Sequence, residues 1–266
     1  MKLTILGSGT SHGIPVMSCT CRVCASEDPH DTRMRASLYV KGNAGERVVI
    51  DTGPEFRLQA IRAGITRLDA VFLTHAHADH VHGLDDLRPL CYERPIPIYG
   101  SYDTLEELRE RFSYVFKHTQ KGGGKPRIIP RVTRKPVRIG ALTFTPIPVQ
   151  HGMLHILGWE IRETPGDTAL YITDTNRIPD TCFHLIHRPG ILIIGGLRVR
   201  AHGTHFSFDE ALRAAVKMKA RKVFLTHICH ENSHQEIKKY CQTFWHDQGM
   251  PEISMEPAYD GLELEL

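Results

Sequence analysis

No stretch of the 266-residue sequence approaches the roughly 20 consecutive apolar residues that span a bilayer, so no membrane-crossing helix and no membrane partner are expected. The opening Met1-Lys2-Leu3-Thr4-Ile5-Leu6-Gly7-Ser8-Gly9 breaks at glycine before a secretory h-region can form, which predicts a cytoplasmic location. An excess of one charge is also lacking: 33 Lys and Arg against 30 Asp and Glu leave a formal net charge of +3 with His counted neutral. So small a surplus is no electrostatic footprint for a nucleic-acid backbone, and no stable nucleic-acid partner is expected. The sequence has no repeat of solenoid period, no heptads and no Pro- or Ser-rich linker, which excludes repeat arrays and coiled coils and predicts a single domain over residues 1–266. Aromatics are sparse at 8%, yet 41% hydrophobic and 24% charged residues place the chain among folded proteins, away from disordered or collagen-like compositions.

What is present is a steady alternation of short β-branched runs, turns and amphipathic stretches. Leu3 to Leu6, Ser37 to Val40, Val48 to Ile50, Val71 to Leu73, Ile96 to Tyr99, Leu142 to Thr145, Leu170 to Ile172, Ile191 to Ile194 and Val223 to Leu225 read as strands. About nine to twelve strands are predicted, in two sets, one per half of the chain. Helices are predicted at Pro54 to Ala63, Asp103 to Phe116, Phe208 to Lys219 and His234 to His246. The first is opened by proline and followed by Gly64, and the third is capped by Ser207. The segment Lys117 to Arg127, basic and carrying Gly122-Gly123-Gly124, reads either as a plain surface loop or as a flap over an anionic substrate.

Histidine is the one compositional excess, at 17 residues. After the strand-like Asp69 to Leu73 comes Thr74-His75-Ala76-His77-Ala78-Asp79-His80. A strand end turning into a helix can aim His75 and His77 at one metal and Asp79 and His80 at a neighbour. Neutral imidazole with carboxylate suits Zn, Fe or Mn alike, and the lack of thiolates there argues against a closed structural site. Four side chains under-coordinate two metals, and further ligand types do follow β-runs: His151 after Phe144 to Val149, Asp174 after Ala169 to Thr173, His227 after Val223 to Thr226. Three runs each ending in a potential ligand is the layout of a site built on the rim of a sheet. A second cluster, Cys19, Cys21 and Cys24 out of an odd total of 7 Cys, reads in a reducing compartment as metal binding ahead of disulfides, the alternative being three reduced thiols packed in the fold.

The set His75, His77, Asp79, His80, His151, Asp174 and His227 resembles the binuclear site of the metallo-β-lactamase fold superfamily. Ile5-Leu6-Gly7-Ser8-Gly9-Thr10-Ser11 and Val49-Ile50-Asp51-Thr52-Gly53 are similar to its early strands. The resemblance implies an α+β fold, a four-layer αββα sandwich. It implies that His75, His77 and His151 hold one divalent metal, that Asp79, His80 and His227 hold another, and that Asp174 bridges them. Asp51 would orient the ligand loop by hydrogen bonds. Gly7-Ser8-Gly9 is no dinucleotide fingerprint, because His12 occupies the place of its third glycine.

Cys19, Cys21 and Cys24 lack a fourth ligand nearby, and His230, three residues after His227, is the candidate. This combination resembles the PhnP family, phosphodiesterases of the carbon-phosphorus lyase pathway. The resemblance implies one structural Zn on Cys19, Cys21, Cys24 and His230 beside two catalytic Mn or Zn ions. His205 is similar to that family's active-site His that binds no metal and would protonate the leaving oxygen, with Asp79 and Asp174 orienting the attacking hydroxide; His202 is the second choice for the acid. One departure is Ile194-Gly195-Gly196, where many relatives carry an acidic residue. The implied activity is hydrolysis of small cyclic phosphodiesters such as 5-phosphoribosyl 1,2-cyclic phosphate, with a homodimer implied by the resemblance alone. The loop Lys117 to Arg127 would seat a terminal phosphate. Cys91, Cys182, Cys229 and Cys241 read as ordinary core or surface thiols.

Three alternatives share parts of this pattern. The tRNA 3′-processing nucleases have nearly the same ligands but grip RNA with a long arm, and the comparable insert here is about eleven residues. Thioester hydrolases of the superfamily use similar ligands on another electrophile. A relative of the pyrroloquinoline quinone biosynthesis protein PqqB would be a carrier that hydrolyses nothing, and its metal content would be about one per chain instead of about three.

Overall fold

The computed structural model describes residues 1–117, 124–249 and 254–266. Among the described residues, fourteen strands form two seven-stranded sheets. The first sheet contains β1 (Lys2–Gly7), β2 (Ser37–Lys41), β3 (Arg47–Ile50), β4 (Ala70–Phe72), β5 (Ile96–Gly100) and β6 (Ile128–Val132) in that order, with β14 (Glu263–Glu265) outside β1. The second contains β7 (Val137–Ile139), β8 (Leu142–His151), β9 (Leu154–Glu163), β10 (Thr168–Ile172), β11 (Ile191–Gly195), β12 (Lys222–Thr226) and β13 (Ser254–Pro257), again in chain order. Each sheet is antiparallel over one half and parallel over the other, the parallel pairs running β3 to β6 and β10 to β13.

Period-2 alternation sends each strand's side chains to two different cores. Leu3, Leu38, Ile50 and Phe72 of the first sheet meet Phe144, Trp159, Ile161 and Ile193 of the second in one buried cluster. Leu192, Ile194 and Leu225 point the other way, onto α5 (Phe208–Met218) and α6 (His234–Gln248). Val49, Val71 and Ile98 likewise pack on α1 (Phe56–Arg62) and α3 (Tyr102–Arg111). The layers are therefore α, β, β and α, as the family resemblance implied. Both α5 and α6 open with a Ser/Glu capping box, Ser207 with Glu210 and Ser233 with Glu236, which satisfies orphan N–H groups on both sides of the cap. Among the described residues no helix is long and apolar enough to cross a membrane.

Several sequence expectations change. Pro54 does not open a helix: Phe56 N–H donates to Gly53 O at 2.9 Å, so Pro54 lies in a turn and α1 starts at Phe56 with Glu55 before it. The predicted helix Asp103 to Phe116 is two helices, α3 and α4 (Ser113–Phe116), because Phe112 leaves helical geometry at φ −106° and ψ 39° while burying its ring. The extra strands are short edge pieces and β9, whose alternation is interrupted by Gly158. Of the segment Lys117 to Arg127, residues 118–123 lie outside the described residues. Cys91, Cys182, Cys229 and Cys241 are all buried.

Trp159 ties this packing to the ligand-bearing rim. Its ring is fully buried against Phe72 at a centroid distance of 4.8 Å, and its Nε1–H donates to Leu73 O at 3.3 Å, one residue before Thr74. Trp159→Ala is expected to cost about 3–5 kcal/mol. The measurement is urea unfolding, which should show a lower midpoint at unchanged slope.

Candidate metal centre

The chain leaves β4, and at Thr74 it is caught from below by Asp51, the residue following β3. Thr74 N–H and Oγ1–H donate to the two Asp51 carboxylate oxygens at 2.8 Å each, and His80 Nδ1–H donates to Asp51 Oδ2 at 2.8 Å. Asp51 is buried, and burial pushes its carboxyl up, opposed by His80. The hydrogen-bonding position expected for it is the one it occupies. Glycine is required two residues on: a Cβ on Gly53 would lie 2.3 Å from the Asp79 carbonyl oxygen, so only glycine lets the loop after β3 run beneath the His-rich turn.

Two ligand groups converge above this support. His75, His77 and His151 offer ring nitrogens within 4.8 Å of one another, and one carboxylate oxygen from each of Asp79 and Asp174 lies equally close to the other and to ring nitrogens of His80 and His227. These are the two sets named from the resemblance. Asp174 lies between them, with Oδ2 3.9 Å from His75 Nε2 and 3.1 Å from His227 Nε2, and Oδ1 3.3 Å from His80 Nε2. The second nitrogen of several rings is already committed, His75 Nδ1 to Thr74 Oγ1 at 3.0 Å and His151 Nδ1 to Thr204 O at 2.8 Å. That fixes the tautomer that aims the other nitrogen inward.

Asp51, Asp174 and His227 each follow the end of a strand and take positive φ, at 63°, 22° and 55°. Non-glycine residues rarely adopt this backbone, and such strain concentrates where side chains must be aimed. A Cβ on Gly195 would stand 3.3 Å from Asp174 N and from the Thr173 carbonyl carbon, so the bare backbone of β11 packs closely under Asp174.

The electrostatics ask for positive charge. Burial would raise the Asp174 carboxyl, but His227 and His80 hold it well below the usual range. The same balance, with burial opposed by His80 and His227, lowers Asp79. Against burial, Asp174 brings His227 up to about 9, and Asp174, Asp51 and Asp79 raise His80 well above an ordinary imidazole. In the protein alone, protons on these rings neutralise the carboxylates; a divalent cation would displace them. His75 Nε2, His80 Nε2 and His227 Nε2 are buried without a hydrogen-bond partner. Buried imidazole nitrogens that face ionised carboxylates, His80 and His227 at 3.1–3.3 Å, without a well-aligned hydrogen bond fit a metal ion.

His205 stands over both groups, its ring centroid 4.7 Å from His151 and 4.9 Å from His227. Burial, then His227, push it down to about 3, so it is a neutral imidazole in the free site. Its nitrogen also lies within 4.8 Å of ligand atoms of His151 and Asp174. His202, the second choice, is exposed at a centroid distance of 5.2 Å from His205.

The four residues Cys19, Cys21, Cys24 and His230 also come together, with His230 Nδ1 at 3.3, 3.5 and 3.4 Å from the three sulfurs in that order. The Cys24 N–H donating to Cys21 Sγ is the chief cause that draws this thiol down to about 6, while burial pushes Cys24 up to about 11. Three thiols around one imidazole nitrogen fit a structural zinc.

A group that sequence reading missed joins this cluster to the centre. Arg33, wholly buried, donates to Cys229 O at 2.9 Å, Asn232 O at 3.3 Å and Asp31 Oδ1 at 3.0 Å, and Asp31 Oδ1 also accepts from His234 N–H at 2.6 Å. The loop carrying both His227 and His230 is thereby clamped. Arg33 and Asp31 are unremarkable in the sequence, because a charged pair shows its burial only once the chain is folded.

The profile of the beta-lactamase superfamily domain matches residues 46–228. A curated protein named octanoyltransferase, from Porphyromonas gingivalis, is 38% identical over 266 residues, 99% of this chain and 51% of its own length. The chain thus spans about half the length of that relative. A crystal structure described as a new diphosphatase from the PhnP family superposes with a TM-score of 0.86 at 36% identity, covering 100% of this chain and 97% of that one. Zn(2+)-bound PqqB from Methylobacterium extorquens superposes with a TM-score of 0.82 at 18% identity, covering 100% of both chains, a likeness of fold.

Proposed function

The chain belongs to the beta-lactamase superfamily, and from that premise we propose that it is a metal-dependent hydrolase of small phosphodiesters. The observation that carries this reading is the convergence of seven ligand-type side chains from separate strand ends, with buried imidazole nitrogens left unpartnered. His75, His77 and His151 would hold one ion, Asp79, His80 and His227 a second, and Asp174 would serve both. Divalent Zn or Mn ions bound there supply Lewis-acid charge and lower the pKa of water. Cys19, Cys21, Cys24 and His230 would hold a structural Zn.

The chain's own groups do the rest. Asp79 and Asp174, ionised and fixed, accept hydrogen from the attacking water and orient its oxygen toward phosphorus. Asp51 holds the Thr74 to His80 turn in place. His205 is on the open side, where the leaving oxygen must depart. An anionic phosphodiester against that ring opposes the burial that keeps it neutral, so the proton arrives with the substrate. A bond forms from water oxygen to phosphorus as a proton of that water passes to the Asp79 or Asp174 carboxylate, the bond to the leaving oxygen breaks, and the proton from His205 goes to that oxygen, giving a monoester and an alcohol; the carboxylate then releases its proton to solvent, from which His205 is recharged with the next substrate. The similarity to a PhnP-family diphosphatase supports a phosphoryl substrate; small cyclic diesters, a cytoplasmic location, a homodimer and one hydrolase domain over the whole chain belong to the same reading.

The test is turnover of bis-p-nitrophenyl phosphate against p-nitrophenyl phosphate after Mn loading, with a diester preference expected. A second reading, thioester hydrolysis, is favoured by the similarity to an octanoyltransferase; hydrolysis of octanoyl thioesters without any of the diester would put it first. Within the first reading, His205→Ala should slow diesters with alkoxide leaving groups by about a hundredfold or more. For p-nitrophenolate, which departs without a proton, the same variant should stay within about threefold. Equal losses across a leaving-group series would remove His205 as the acid.

A further inference from the structure

We propose that a cavity between the two sheets, beside the metal centre, seats an apolar alkyl or aryl substituent of the substrate; this rests on the hydrolase reading above. The cavity has a volume of about 410 Å3, in the range of small-molecule pockets. Tyr102 from α3, Pro146 and Pro148 from β8, and Leu157 from β9 present apolar surface to it. Its charged groups, Arg134 and Asp103, are of opposite sign, and His155 carries no charge in its neutral form, so they provide no strong net field for an anion and the apolar lining sets the ligand.

Three elements line this cavity at one point and touch the metal loop at another. Leu157 N–H donates to Thr74 O at 3.1 Å, next to His75. β8 continues from Pro146 and Pro148 to His151. α3 begins at Tyr102 and ends at Arg111, whose guanidinium donates to the Ala76 carbonyl between His75 and His77. Ser101 and Thr133, which follow β5 and β6, also line it. β4, β5 and β6 are adjacent parallel strands, so the segments that follow them, carrying His75, Ser101 and Thr133, leave the sheet at one rim, with neighbouring strands about 5 Å apart. With the ester's charged atom held at the metal centre, its organic substituent is the part that reaches this space.

The experiment is a series of p-nitrophenyl alkyl phosphates from methyl to octyl, with wild type and two variants. In wild type, kcat/KM should climb about three- to fourfold per methylene until the cavity is filled. Leu185→Trp, which fills the cavity from a wall outside the metal-binding residues, should remove that climb and leave the methyl ester unchanged. Tyr102→Ala, at an exposed position and so safe for folding, should raise KM for the octyl ester alone. A flat series in wild type, or the same climb in both variants, overturns the proposal. If no ester of any length is turned over, the hydrolase reading fails, and equilibrium binding of octylphosphonate and methylphosphonate then decides on the cavity. Octyl preference in wild type that is lost in Leu185→Trp supports it, and equal binding overturns it.

Discussion

Asp79→Ala is expected to lower kcat/KM for bis-p-nitrophenyl phosphate by on the order of a thousandfold, since one such cation is worth several kcal/mol to the transition state. Asp79 Oδ2 lies 3.2 Å from His80 Nε2 and 3.6 Å from His227 Nε2, and its carboxyl is held ionised by those rings against the pull of burial. Without it, Asp174 is the one carboxylate that His80 and His227 still share, His80 keeping Asp51 besides, and the second cation would lose a ligand and a unit of negative charge. Metal content should fall from about three to about two per chain, with the circular dichroism spectrum unchanged. Asp79→Asn keeps the shape without the charge and should lose nearly as much. Wild-type rate and metal content in either variant would remove Asp79 from the centre.

Cys24→Ser should release one metal and lower the unfolding temperature by about 10 °C, taking about 4 kcal/mol lost at the few degrees per kcal/mol typical of this chain length. The reason is topological. The Cys24 to His230 contact joins residues 206 positions apart, and the segment from Ile14 to Asp28 has turns and bends but no helix or strand of its own. A cross-link over so long a loop constrains the unfolded chain more than a local one does. Diester turnover should also fall, because His227 lies three residues from His230 and takes its left-handed backbone, φ 55°, from the loop that this site and Arg33 together hold. Retention of all metal with an unchanged melting curve would show that the three thiols are merely packed.

Much of the centre was legible before folding. His75, His77, Asp79 and His80 sit on one turn, and residues two and four apart on a strand end and a short helix share a direction by backbone geometry. His151, Asp174 and His227 are legible because each closes a β-run; β10 and β12 run parallel, and β8, two antiparallel steps from β10, points the same way, so their ends reach one rim. Helix starts were less readable. Pro54 reads as an N-terminus by propensity, yet the Gly53 to Phe56 turn claims it; Phe112 reads as helical, yet it leaves helical geometry with its ring buried.

Local order along the chain thus marks which residues are candidate ligands and which layers they hang from, since the grouping of near neighbours and strand alternation depend on spacing alone. What spacing cannot carry is left to the folded molecule. The buried Arg33 and Asp31 pair, the positive φ at Asp51, Asp174 and His227, the close pass of Gly195 under Asp174 and the cavity walled by Tyr102 and Leu157 all arise from contacts between distant segments. Burial, strain and enclosure are properties of what surrounds a residue, and those surroundings exist only after the two sheets have closed on one another.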